Sequence, residues 1–144
     1  MRIHGSILIR RPVAEVFAYL ADFTHDREWR GEVTDVHPLS GERGTAGERY
    51  VEAMHFPGVR VRSQFEVTAF EPPRLLAAEG ESEGMHASQR YELTPQGARA
   101  TRLDVSTRIE THGVLTMGEP VAAMLLDRRA HENLRRLKRA LESR

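Results

Sequence analysis

A chain of 144 residues with 40% hydrophobic residues and no cysteine is long enough to bury a core of its own. It has no disulfides and no thiolate metal ligands. Its 21 basic and 21 acidic residues are interspersed, so no basic face marks a nucleic-acid binder. No stretch approaches the length of a membrane span and MRIHGSILIRRP is no signal peptide, so the expectation is one cytoplasmic domain over residues 1–144.

The first element alternates. Ile3, Gly5, Ile7 and Ile9 share one face and His4, Ser6 and Arg10 the other, with Leu8 the exception, which predicts a half-buried strand. RPVAEVFAYLADF follows, with Pro12 at a helix-starting position and Val13, Val16, Phe17 and Leu20 at helical spacing. The short polar segment THDREWRG carries the only tryptophan, Trp29. From Val33 to Ile109 the chain reads as consecutive strands, punctuated by turn signals at SGERGTAG, FPG, EPPR, GESEG and TPQG. Leu103, Val105, Thr107 and Ile109 alternate with charged or small polar residues, as do Val59, Val61, Ser63, Phe65 and Val67. One wet face and one buried face predict an antiparallel sheet covered on a single side.

The cover is the C-terminal segment, where Ala123, Leu126, Ala130, Leu134, Leu137 and Leu141 form one helical stripe and Arg128, Arg135, Arg139 and Glu142 lie opposite. Its start is open between Thr116, with Glu119 completing a capping box, and Pro120 at a first turn. The stripe is Ala-rich in its first half, and Gly5 on the facing strand adds no bulk. This predicts a pocket near Ala122, Ala123 and Leu126 unless aromatic side chains fill it. Val121, Met124 and Leu125 make the first turns apolar on further sides, which predicts cover by loops or by a second copy in a homodimer.

The order of elements resembles the helix-grip fold of the START-like (SRPBCC) superfamily, which includes lipid-transfer domains, pollen-allergen-like proteins and polyketide cyclase/dehydrases. ILIRRPVAEVFAYLADFTHDREW resembles the opening of that family, GTAGERY with FEVTAFEPPRLL its middle, YELTPQGARATRL its final hairpin and NLRRLKRALE its closing helix. The resemblance implies an α+β domain. Its antiparallel sheet of six or seven strands wraps around a long C-terminal helix, with two short helices after the first strand. It also implies a cavity for a hydrophobic or amphipathic small molecule, and it implies no particular catalysis.

The residues themselves offer limited chemistry. Of seven histidines, His4, His55 and His86 fall on polar strand faces, His25 and His37 near turns and His131 on the outer side of the last helix. No HExxH pattern or same-face ligand pair appears, so neither a metal nor another cofactor is expected. Gly44 and Gly47 lack the lysine and following helix of a phosphate loop and read as a strand-entry turn. The inner face is more informative. Alternation gathers Tyr50, Glu52, Met54, Ser63, Gln89, Tyr91 and Thr107 there, with Trp29 as a cap or a packing residue and Ala123 and Leu126 on the helix. A mostly apolar lining with a few polar groups suits a small-molecule site.

Glu52 decides between two classes of function, a carrier for a hydrophobic ligand and a cyclase/dehydratase-type enzyme using a buried carboxylate. A two- or four-residue loop at Pro57-Gly58 sets Glu52 opposite Ser63 and points it inward; a three- or five-residue loop sends it to solvent. With no cation on its own face, an inward Glu52 would have its pKa raised by desolvation above the ordinary ~4.3.

Overall fold

The structure, a computed structural model, describes residues 1–82, 84–111 and 119–144, with side chains of the last helix described from Ala123 onward. Strand β1 (Arg2–Ile9) leads through Pro12 into helix α1 (Val13–Ala21), a 3₁₀ turn (Phe23–His25) and helix α2 (Asp26–Trp29). Strands β2 (Val33–Ser40), β3 (Arg49–Phe56), β4 (Val59–Glu71), β5 (Leu75–Ser82), β6 (Met85–Pro95) and β7 (Thr101–Thr111) follow, and then helix α3 (Glu119–Glu142). The chain therefore forms the α+β helix-grip architecture expected from its order of elements. Its sheet has seven antiparallel strands in the order β1-β7-β6-β5-β4-β3-β2. The hairpins lie where the turn signals stand. Among the described residues no helix is long and apolar enough to cross a membrane.

Period-two patterning becomes a concave inner face over which α3 and α1 pack. Ile9, Leu20, Leu76, Leu103 and Leu137 are among the most buried residues of a core that also takes Leu134 and Leu141 from α3 and Val16 and Phe17 from α1. Gly5 does not leave the space expected of it. A Cβ there would stand 2.7 Å from Cδ1 of Leu134, so the helix fills that site. The looser packing lies further along. Inner-face residues are buried at Leu93, Tyr91 and Leu103, then only half-buried at Gln89, Ala87, Met85, Thr107, Ile109 and Val61. Ala123 and Leu126 of α3 are half-buried too, whereas Met124 and Leu125 are exposed. Thr116 and the side chains of Glu119, Pro120, Val121 and Ala122 lie outside the described residues, and with them the expected capping and part of the expected pocket wall.

Candidate functional site

The β3–β4 hairpin orients the central carboxylate. Phe56 opposes Val59, Met54 opposes Val61, Glu52 opposes Ser63 and Tyr50 opposes Phe65. The loop is the two residues Pro57 and Gly58. Gly58 at φ +77° supplies the left-handed conformation that a type II turn needs after proline, so the primed turns closed to Pro57 are not required. Glu52 points inward and is fully buried.

It is not without a cation. Arg30, at the C-terminal end of α2, donates from Nη1 to both oxygens of Glu52 at 2.9 and 3.0 Å. The expectation of an unpaired carboxylate fails because the partner arrives from the short helix across the sheet, where strand alternation says nothing about it. The same Nη1 donates to Oδ2 of Asp26 at 3.2 Å, and Nε donates to Oε1 of Glu32 at 3.4 Å. Asn133 of α3 donates from Nδ2 to both oxygens of Glu32 at 2.8 and 3.2 Å and accepts the Gly31 N–H at 3.1 Å. Asp26, Arg30, Glu32, Glu52 and Asn133 are all buried.

Three carboxyl groups around one guanidinium cannot all ionise cheaply. Burial pushes Asp26 well above its ordinary 3.8. The negative charge of Glu52 and a hydrogen bond between the two carboxyls add to that, against the pull of Arg30. Burial and the neighbouring Glu52 thus bias Asp26 towards its protonated form. Burial works against the charge of Arg30, and the surrounding carboxylates outweigh it and keep the guanidinium ionised. The Tyr50 and Tyr91 phenols are pushed up by burial first and by the nearby carboxyls second, so both remain O–H groups.

The other residues singled out in the sequence divide between this cluster and the half-buried region beyond it. Tyr50 is stacked between Phe23 and Phe65, with ring centroids at 4.1 and 5.4 Å. Trp29 packs in the core 6.3 Å from Tyr91, and its indole nitrogen is buried without a partner. The Met54 sulfur lies 4.0 Å from Nη2 of Arg30, and Ser63 is buried opposite Glu52. Gln89 and Thr107 face each other across β6 and β7, one inner-face pair beyond Tyr91 and Val105. With Ala123 and Leu126 they belong to the half-buried region. A surface cleft of about 340 Å³ lies on the outer side of the Phe23–Tyr50 stack, between α1 and the β2–β3 loop, and neither Ala123 nor Leu126 lines it.

Asp26, Arg30 and Glu32 were missed because the charged run DREWRGE reads as a solvated turn, and Asn133 was missed with them. One signal was present: Asn133 sits within the helical stripe of Ala130, Leu134 and Leu137, where a polar side chain needs a buried partner. Among the described residues no three His, Cys, Asp or Glu side chains gather as metal ligands, and the carboxyls of this cluster have Arg30 between them.

A family model described as polyketide cyclase / dehydrase and lipid transport matches residues 1–142. No curated protein was found to match the sequence. The fold is similar to that of a Thermus thermophilus protein (TM-score 0.84, 16% identity, 99% of this chain and 98% of that one). A START superfamily protein from Mycobacterium smegmatis is similar at TM-score 0.84, 14% identity, and 99% and 97% coverage. The Zhui aromatase/cyclase of a Streptomyces species is similar at 0.80, 15%, and 99% and 93%.

Proposed function

The chain belongs to the polyketide cyclase / dehydrase and lipid transport family, and we propose that it binds a hydrophobic or amphipathic small molecule between the concave sheet and the first half of α3. One observation carries this reading. Along the inner face, full burial gives way to half-burial at the level of the Asp26–Arg30–Glu52 cluster, from Tyr91 to Gln89 and Met85 and from Leu103 to Thr107 and Ile109. Apolar walls over a polar floor suit a lipid-, quinone- or polyketide-like ligand. The lining we assign is Trp29, Tyr50, Glu52, Met54, Ser63, Gln89, Tyr91, Thr107, Ala123 and Leu126. Native mass spectrometry of the chain purified gently from its own host is expected to reveal a co-purified small molecule. A chain that carries none and also binds no hydrophobic dye would defeat the proposal.

A second reading, a cyclase/dehydratase-type enzyme, is favoured by the Asp26–Glu52 pair. Two buried carboxyls in one dry site, of which burial pushes Asp26 up, suit a proton donor and a proton acceptor. In this reading Glu52, held by Arg30, takes a proton from the carbon beside a substrate carbonyl, and Asp26 gives its proton to the hydroxyl that leaves as water. The proton then passes from Glu52 back to Asp26. Asp26→Asn should then abolish turnover of a polyketide-like substrate while its binding persists. Equal turnover in that variant would leave the carrier reading alone.

A further inference from the structure

One buried carboxyl group stands apart from the Arg30 cluster and is only half used. Glu48 leads into β3 and is 7% exposed. Its backbone is pinned on both sides. The N–H donates to the Thr45 carbonyl at 3.3 Å, and the carbonyl accepts the Val67 N–H at 2.8 Å. The side chain folds back over the turn, where Oε1 accepts the Gly44 N–H at 2.8 Å. Oε2 receives no hydrogen bond among the described residues. Among them, Trp29 Nε1 is the one side-chain nitrogen or oxygen that is both shut off from solvent and without a partner, so Oε2 of Glu48 reaches open space. The space that Glu48 lines is the outer cleft of about 340 Å³.

The rest of the cleft narrows what would complete that carboxyl. Its floor is the Phe23–Tyr50 stack, with centroids 4.1 Å apart, and Ala18, Ala21, Val36 and Pro38 wall it. A carboxyl oxygen calls for an N–H donor, and aromatic faces beside it attract a cationic one. Two more charged side chains share the lining. Burial works to raise Asp22, but two hydrogen bonds from Thr24, at 2.6 and 3.1 Å, outweigh it together with His25 and Arg43 and hold the carboxyl below its ordinary 3.8. Asp22 and the exposed Arg43 thus answer each other, and Oε2 of Glu48 is left to a donor from outside. We infer that the outer cleft binds a primary amine on a flat apolar body, an arylalkylamine, with its N–H groups on Oε2 of Glu48 and its ring against Phe23 and Tyr50. Pockets of about this volume suit a small molecule. The site shares Tyr50 and nothing else with the interior lining, so it stands or falls apart from the interior ligand.

The test titrates the intact chain at pH 7 with phenethylamine, 2-phenylethanol and 3-phenylpropanoate, following the Phe23 and Gly44 amide resonances by NMR. The amine is expected to bind about tenfold more tightly than the other two, as one charge-assisted hydrogen bond would give. Glu48→Gln keeps an oxygen for the Gly44 N–H and removes the free acceptor, so the amine advantage should fall towards unity. Ala18→Trp fills the cleft from an exposed position of α1 and should abolish amine binding, whereas Ala123→Phe in the interior should leave it unchanged. Equal binding of amine and alcohol, tightest binding by the acid, a full amine advantage in Glu48→Gln or unhindered binding in Ala18→Trp would each overturn the assignment. Failure of all three probes would overturn it as well. Each of these outcomes leaves dye binding in the interior, and with it the carrier reading, as it stands. The ranking on the unaltered chain is independent of how the variants fold.

Discussion

Arg30 brings one positive charge into a space that holds Asp26, Glu32 and Glu52, and each of these depends on it for charge balance. Removing one member of such a set is far worse than removing the charges together. Arg30→Met is therefore expected to cost about 3–5 kcal/mol in urea denaturation. Arg30→Met with Glu52→Leu should recover at least half of the loss, and a double variant no better than the single would show that the guanidinium is not the keystone. Asp26 makes a prediction in pH. Its folded pKa lies above the ordinary 3.8, so folding takes up a proton between that value and the raised one. The folded state binds more protons there, so this contribution to stability falls as pH rises through the window and is fully present only below it. Asp26→Asn has no such proton. Its urea midpoint should decline less with rising pH than that of the parent chain, and its stability should match or exceed the parent's at the alkaline end. Parallel pH profiles would mean that Asp26 is ionised in the folded protein.

At the level of elements, α3 is fastened to the sheet and to the α2–β2 connection by contacts of different kinds. On β1 the fastening is steric, because Leu134 occupies the volume a side chain at position 5 would need. Gly5→Val should cost about 1–3 kcal/mol. Leu134→Ala in the same chain should return part of that, since it opens the volume the valine needs, and strictly additive losses would refute the contact. On the connection the fastening is polar. Asn133 accepts from Gly31 and donates to Glu32, so it holds the stretch that begins with Arg30. Asn133→Leu should cost about 1–3 kcal/mol by leaving the Gly31 N–H and Glu32 short of partners. The same variant should speed hydrogen exchange of the Gly31 amide more than that of the β6 and β7 amides. Uniform acceleration would make Asn133 a general packing residue and not a local clasp.

For the molecule as a whole, the fold was legible because a sheet with one wet face writes its register into the sequence. The alternation of Tyr50, Glu52 and Met54 against Phe65, Ser63 and Val61 points Glu52 inward if the loop at Pro57-Gly58 has two or four residues, and the structure has that pairing. What approaches a strand from another element leaves no such period, which is why Arg30 and Asp26 went unread beside it. The same limit applies to the space above the cluster, since periodicity predicts which faces meet and not how closely. Half-burial of Ala123 and Leu126 gives the expected pocket its physical test. Ala123→Phe adds a ring where packing is loose, so it should change stability by less than the roughly 1–3 kcal/mol of an overpacked core. It should nonetheless weaken binding of a hydrophobic dye at least about tenfold, a loss near 1.4 kcal/mol. Ala18→Trp is the counterpart, because Ala18 is exposed and lines the outer cleft between α1 and the β2–β3 loop. Dye bound in the interior should ignore it. If instead Ala18→Trp blocks the dye and Ala123→Phe does not, the ligand belongs outside the Phe23–Tyr50 stack and the buried cluster is structural.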